Sequence, residues 1–363
     1  MLLEWCEHSL ADLFGDEDEA LLLQARVGGA KGWGWQLCDA LDHMHSTCGW
    51  VHKRLRPEHV LVRNGGIKLS GFAASAPRFG EEGLASRGRP PASLASSWTA
   101  REAAPAGRGA RQLCTVDWQR ADLWSLGCVL GFMWSGGAHP FDGPDGPSSD
   151  AERTERVLAG ATPRQLPACV PAVVQQLVWV GGLLSPAPVD RPLTEQCVEH
   201  PAFWAAPRVL AFFHELVSDV LAKGQRLRRE FSDAMAAALR MYGVTSWSSR
   251  LYEHATPGGK EWGQALQRSS SWVAALEFVC GVASSAKRRS GRFGSDGELV
   301  QYFEECWPAL LAHAWLWRNH GPAACAAYIW HVGARGGRVA SACPRAAASP
   351  LQDDLADEEA FFM

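Results

Sequence analysis

Residues 50–62 read WVHKRLRPEHVLV, a basic, turn-forming centre between apolar ends, and their reading decides the fold. The closing apolar run, Val60–Val62, is followed by RNGG and a second short run, Ile67–Leu69. Two β-type runs around Asn-Gly predict a hairpin, because Asn and Gly tolerate the positive φ that a tight connection demands. Upstream, WQLCDALDHMHSTC (35–48) places apolar residues at i, i+4 and i+8 and predicts a helix. Downstream, residues 73–113 are rich in Ala, Pro, Gly, Ser and Arg and read as a low-complexity loop. DWQRADLWSLGCVLGFMWSGG (117–137) then predicts an apolar, buried helix stopped by paired glycines. Further helices are predicted near 151–160, 170–184, 194–199, 207–242, 260–283 and 297–317, with a Gly/Ala/Arg-rich and then acidic tail.

The totals set limits on function. The chain has 363 residues, 47% apolar and 20% charged, which is ordinary globular composition with enough apolar material for two domains. A net charge of -4 gives no global reason for nucleic-acid or anionic-membrane binding. The 17 Trp read as core residues. The 11 Cys include no C-x-x-C pair, so the expectation is reduced thiols in a cytosolic setting. Cys38, His43, His45 and Cys48 lie in one helical run and would point in different directions around its axis, so no metal site is expected there. GGAKGWG (28–34) lacks the preceding strand and the ending of a phosphate loop. No uncharged apolar run reaches the ~20 residues that span a bilayer. The longest, Ser125–Ala138 and Ala172–Leu184, are of core-helix length.

With these pieces in order, residues 50–62 resemble the protein-kinase catalytic loop, H-R-D-L-x-x-x-N followed by an apolar strand. His52 and Leu55 stand in the first and fourth places. The resemblance extends outward. LLEWCEHSL (2–10) is similar to the hinge, with Glu4 and Cys6 where backbone groups meet adenine and Leu61 as the pocket floor. Asp122 matches the residue that braces the loop from the central helix. SWTARE (97–102) resembles the end of the activation segment, and Arg191 resembles the ion-pair partner of Glu102. GGAHPFDG, EHPAFWAAPRVLAFFHELVSDVL and YFEECWPALLAHAW narrow the likeness to the inositol-requiring serine/threonine kinase/endoribonucleases of the unfolded-protein response and ribonuclease L.

The resemblance implies a mainly α fold. It comprises a kinase-like C-lobe over 1–213 that opens at the hinge without its N-lobe, an all-helical kinase-extension nuclease (KEN) domain over 214–320, and a disordered tail over 321–363. It implies ATP as the cofactor and an endoplasmic-reticulum address on the cytosolic face. The expected partner is a second copy or a kinase/endoribonuclease paralogue, in a homo- or heterodimer.

Where the kinase pattern requires chemistry, this sequence departs from it. The orienting Asp is Arg54, the following Lys is Arg56, the metal-binding Asn is His59, and LSGFA puts Gly71 in place of the metal-binding Asp. No Asp occurs between Asp42 and Asp117, so magnesium has no hard-oxygen cage and is not expected. The nuclease pattern needs a His, a Tyr and an Arg-Asn-Lys run. This sequence has no His between His254 and His313 and no Tyr between Tyr252 and Tyr302. Lys287, Arg288, Arg289 and Arg292 are candidate contacts to RNA phosphates without a group to cut them.

The leading expectation is a pseudokinase/pseudonuclease used for regulation or dimerisation. The alternatives are a residual RNA-binding or RNA-cleaving enzyme, with His254 or His313 as proton donor, and a truncated product of an active sensor kinase.

Overall fold

The structure is a computed structural model that describes residues 4–15, 30–78, 96–104, 116–167, 170–179, 182–248, 271–284, 293 and 295–333. Its architecture is mainly α. Strand β1 (His8–Ser9) leads into helix α1 (Leu10–Gly15), and α2 spans Ala30–Asp42. A π-helical turn, His43–Thr47, continues α2. Such turns widen the helix by one residue and re-aim the side chains they carry.

The predicted hairpin forms from β3 (Val60–Arg63) and β4 (Gly66–Leu69), with Asn64 at φ 50 and Gly65 at φ 75 in the connection. Strand β1 adds antiparallel to β3, pairing Ser9 with Leu61 and His8 with Val62. A second ladder joins β2 (Trp50–Val51) to β5 (Ala76–Pro77), closing the stretch between them into a loop.

Helix α3 (Trp118–Trp134) is buried nearly all round. Asp117 caps it by accepting from Arg120 N–H. Helix α4 spans Asp150–Leu158, α5 (Ala172–Val178) packs on α3 as α2 does, and α6 (Thr194–Val198) packs on α2. Ser149 and Glu152 form a reciprocal capping box on α4.

The run 207–242 divides into α7 (Ala206–Ala222) and α8 (Gln225–Arg240). The break is Gly224, whose φ of 85 is a conformation that only glycine adopts readily. Helices α9 (Trp272–Ser284), α10 (Asp296–Cys306) and α11 (Leu310–Gly333) complete the fold. Helix α9 packs on α7, and α11 on α8. The backbone of α11 is interrupted at Gly321 (φ 76), because Pro322 lacks an N–H and pushes the preceding residue out of the helical region. Helix therefore runs 13 residues past the boundary at 320, to Gly333. Residues 334–363 lie outside the described residues.

Trp247 and the stretch 302–315, which carried part of the resemblance, meet in one aromatic cluster. Trp307 stacks on Phe303 with centroids 5.2 Å apart and donates its indole N–H to Trp247 O at 3.0 Å. Among the described residues no helix is long and apolar enough to cross a membrane.

Candidate functional site

The loop of residues 50–62 is assembled around one buried carboxylate. Asp122 on α3 accepts from the backbone N–H groups of His52 and Lys53, both at 2.7 Å, and from His45 Nε2 at 2.9 Å. Those bonds hold Lys53 at φ 65, an unusual conformation for a residue with a side chain. His52, fully buried, donates from Nε2 to Ser70 O and accepts Arg54 N–H at Nδ1, which fixes its tautomer. Burial pulls the His52 pKa down despite the neighbouring Asp122 carboxylate, so the ring works as a neutral strut. His52 and Asp122 thus join the loop to the segment that follows β4.

Arg54, Arg56, His59 and Gly71 lie in and beside this loop, with the His59 ring centroid 6.1 Å from that of His52. His59 Nδ1 donates to Arg54 O at 2.7 Å. Arg56 grips Glu58 with two guanidinium nitrogens, and that carboxylate raises the Arg56 pKa by hydrogen bonding. Gly71 has φ 78, and a Cβ added there would overlap the His59 ring, with Nδ1 about 2.5 Å away. The imidazole therefore fills the space that any side chain at position 71 would need. Gly71→Ala should cost about 2–3 kcal/mol in urea unfolding, from left-handed strain and displacement of His59. Adding His59→Ala should return the overlap and leave the strain; a Gly71→Ala variant as stable as the parent would contradict this packing.

The remaining sequence-derived positions separate into two places. Glu4 is an exposed carboxylate bound to Lys68 at 2.8 Å and Arg63 at 3.1 Å, and the Lys68 hydrogen bond holds its pKa down. Cys6 is half-buried, as is Leu61 on β3. Glu4 is thus held beside the hairpin, away from the Asp122 bracket. On the far side of α3, Arg191 meets Glu102 through a two-nitrogen fork. Lys287, Arg288, Arg289 and Arg292 lie outside the described residues, as does His254. His313 is buried, its pKa pulled down to about 4 by desolvation, and it packs edge-on to Tyr242 with centroids 6.3 Å apart.

Of the four residues in the Cys/His run, Cys38 and His45 point inward while His43 and Cys48 are exposed. Sequence reasoning missed the role of His45. It is the third partner of Asp122, and the π-helical turn aims it there. A His seven residues before His52 was the available signal.

No family model matches the chain. Curated relatives do. The serine/threonine-protein kinase/endoribonuclease IRE2 of Homo sapiens is 32% identical over 277 residues, covering 70% of this chain and 25% of that protein. The corresponding IRE1b of Arabidopsis thaliana is 32% identical over 218 residues, 58% of this chain and 22% of that protein. This chain therefore spans about a quarter of the length of these relatives. Among solved structures, one of the Rad53 kinase domain and SCD2 in complex with AMPPNP aligns with a TM-score of 0.40 and 17% identity, over 56% of this chain and 68% of that one.

Proposed function

We propose, from the homology of this chain to serine/threonine-protein kinase/endoribonucleases, that it is a pseudokinase/pseudonuclease module whose work is regulation or dimerisation rather than turnover. The observation that carries the reading is the fit between His59 and Gly71. The His59 ring occupies the space that a side chain at position 71 would need, so changing either residue alone does not supply a metal seat. Magnesium prefers hard oxygen ligands, chiefly carboxylates. The loop offers an imidazole, the Ser70 hydroxyl and backbone carbonyls at this point, and Arg54 adds positive charge. These donors do not fit the ion.

ATP is the cofactor the kinase homology implies, with Glu4, Cys6 and Leu61 at the hinge and floor positions. Its adenine half does not depend on the carboxylates that are missing. In the extension, α9 occupies the stretch where the nuclease pattern needs a proton-transferring His. Its residues are mostly apolar, with Glu277 exposed and the last residue, Ser284, meeting His214 at 3.4 Å. The partner that suits the reading is a second copy or a paralogue that retains the catalytic groups.

Purified full chain incubated with radiolabelled ATP, magnesium and a generic Ser/Thr acceptor should transfer no label above a heat-killed control. Transfer that disappears in an Arg54→Ala variant would sink the proposal.

A further inference from the structure

The same loop carries a charge pattern that a merely inactivated site does not require. Residues 49–78 contain six Lys or Arg against the single Glu58, a formal surplus of five positive charges in a chain whose net charge is -4. Most of these cations are already committed. Arg56 is locked to Glu58, Arg63 and Lys68 hold Glu4, and the Lys53 ammonium sits 4.7 Å over the Trp118 ring. Arg54 differs. Its backbone is pinned at both ends, N–H to His52 Nδ1 at 3.2 Å and C=O to His59 Nδ1 at 2.7 Å. Its side chain is exposed, and among the described residues its guanidinium meets no acceptor. A fixed backbone places the root of an uncommitted guanidinium, whose fork of N–H donors matches a doubly charged oxyanion.

We propose that Arg54 and the loop around it hold a phosphate monoester carried on a protein side chain, with no metal ion. In a working kinase the residue at this place accepts the proton of the substrate hydroxyl. An Arg there cannot take that proton. It does complement the phosphorylated form of the same group, which carries about -1.5 to -2 charges at neutral pH and accepts forked hydrogen bonds. A nucleotide triphosphate is the poorer match, because its larger charge needs a bridging cation and the imidazole packed on Gly71 is no hard-oxygen ligand for one. This inference rests on the non-catalytic reading above, since a loop that turned over would release the same group as product.

The test is calorimetric titration of the full chain, in EDTA, with the blocked tripeptide acetyl-Gly-phosphoSer-Gly-amide. Its unphosphorylated twin, AMP and inorganic phosphate are titrated alongside. The phosphotripeptide should bind, the twin should not, and Arg54→Ala should weaken binding about tenfold or more. Arg54→Lys, which keeps charge but loses the fork, should fall between. No binding of the phosphotripeptide, or binding unchanged in Arg54→Ala, would overturn the proposal. AMP or inorganic phosphate binding as tightly would overturn the assignment to a side chain, as would a requirement for magnesium. The label-transfer assay is scored separately, so a failure of the receptor with no transfer detected leaves the non-catalytic reading standing.

Discussion

Replacing Arg191 by Met should cost about 3–5 kcal/mol of unfolding free energy, the range for removing one partner of a buried ion pair. Arg191 is 2% exposed. Its guanidinium serves four acceptors from three segments: Glu102 twice, Ser185 O at 2.9 Å and Arg120 O at 2.7 Å. It also lies 5.0 Å over the Trp124 ring. Met fills similar volume but donates nothing. Two carbonyls then lose their bond, and Glu102 keeps a charge in a place where water reaches only a quarter of its side chain. Arg191→Lys should lose less, because an ammonium keeps the charge without the fork. The double variant Arg191→Met/Glu102→Met should recover part of the loss, since the carboxylate that had lost its fork is gone while the two carbonyls stay unserved. Urea unfolding of the parent, the single variants Arg191→Met and Glu102→Met, and the double variant closes the cycle. A single Arg191→Met variant within about 1 kcal/mol of the parent would mean that the fork is solvated and contributes little.

The contrast between this fork and the Asp122 bracket shows what the sequence could convey. Resemblance to the kinase pattern singled out Asp122, Glu102 and Arg191, and the structure buries Asp122 and pairs Arg191 with Glu102. The hairpin was legible for a local reason: Asn64 and Gly65 accept positive φ where most residues resist it. Contacts decided by three-dimensional fit were not legible. Gly71 and His59 read as two separate departures from the kinase pattern, whereas in the structure the His59 ring packs where a side chain at position 71 would go. His45 reaches Asp122 only because α2 widens into a π-helical turn, which helical periodicity does not announce. The long amphipathic run 207–242 kept its apolar face through Gly224, and the break came from backbone conformation rather than from any change in pattern. At the far end, the likeness to the extension stopped near 315, whereas the backbone continues helical to Gly333 once Gly321 and Pro322 have redirected it.

Acidification from pH 7 to pH 5 should remove about 6 kcal/mol of stability through three buried histidines, roughly 2 kcal/mol each from proton linkage. Desolvation holds His139 and His200 down to about 3 and His313 to about 4, against an ordinary value of 6.5. The sign follows from which state binds protons. Below pH 6.5 the unfolded chain protonates these rings while the folded chain keeps them neutral. Stability is thus fully present above the unfolded pKa and drains away as pH falls toward the folded values. Burial is the first cause in all three, and at His139 the Arg153 charge adds to it against the pull of Asp142 and Asp150. His52 shifts in the same direction, and Glu304, whose pKa burial raises, opposes them weakly. Depressed carboxylates such as Asp142 act below this window, at the acid end. His200 gives the clean control. Its Nδ1 accepts Ala202 N–H at 3.2 Å, a bond an Asn side chain can replace without a titrating ring. His200→Asn should flatten the slope of unfolding free energy against pH by about a third between pH 6.5 and 5. A parent protein equally stable at both pH values would mean that these rings take up protons inside the fold, and that the packing of α11 and of the turn after α6 opens far more readily than their burial implies.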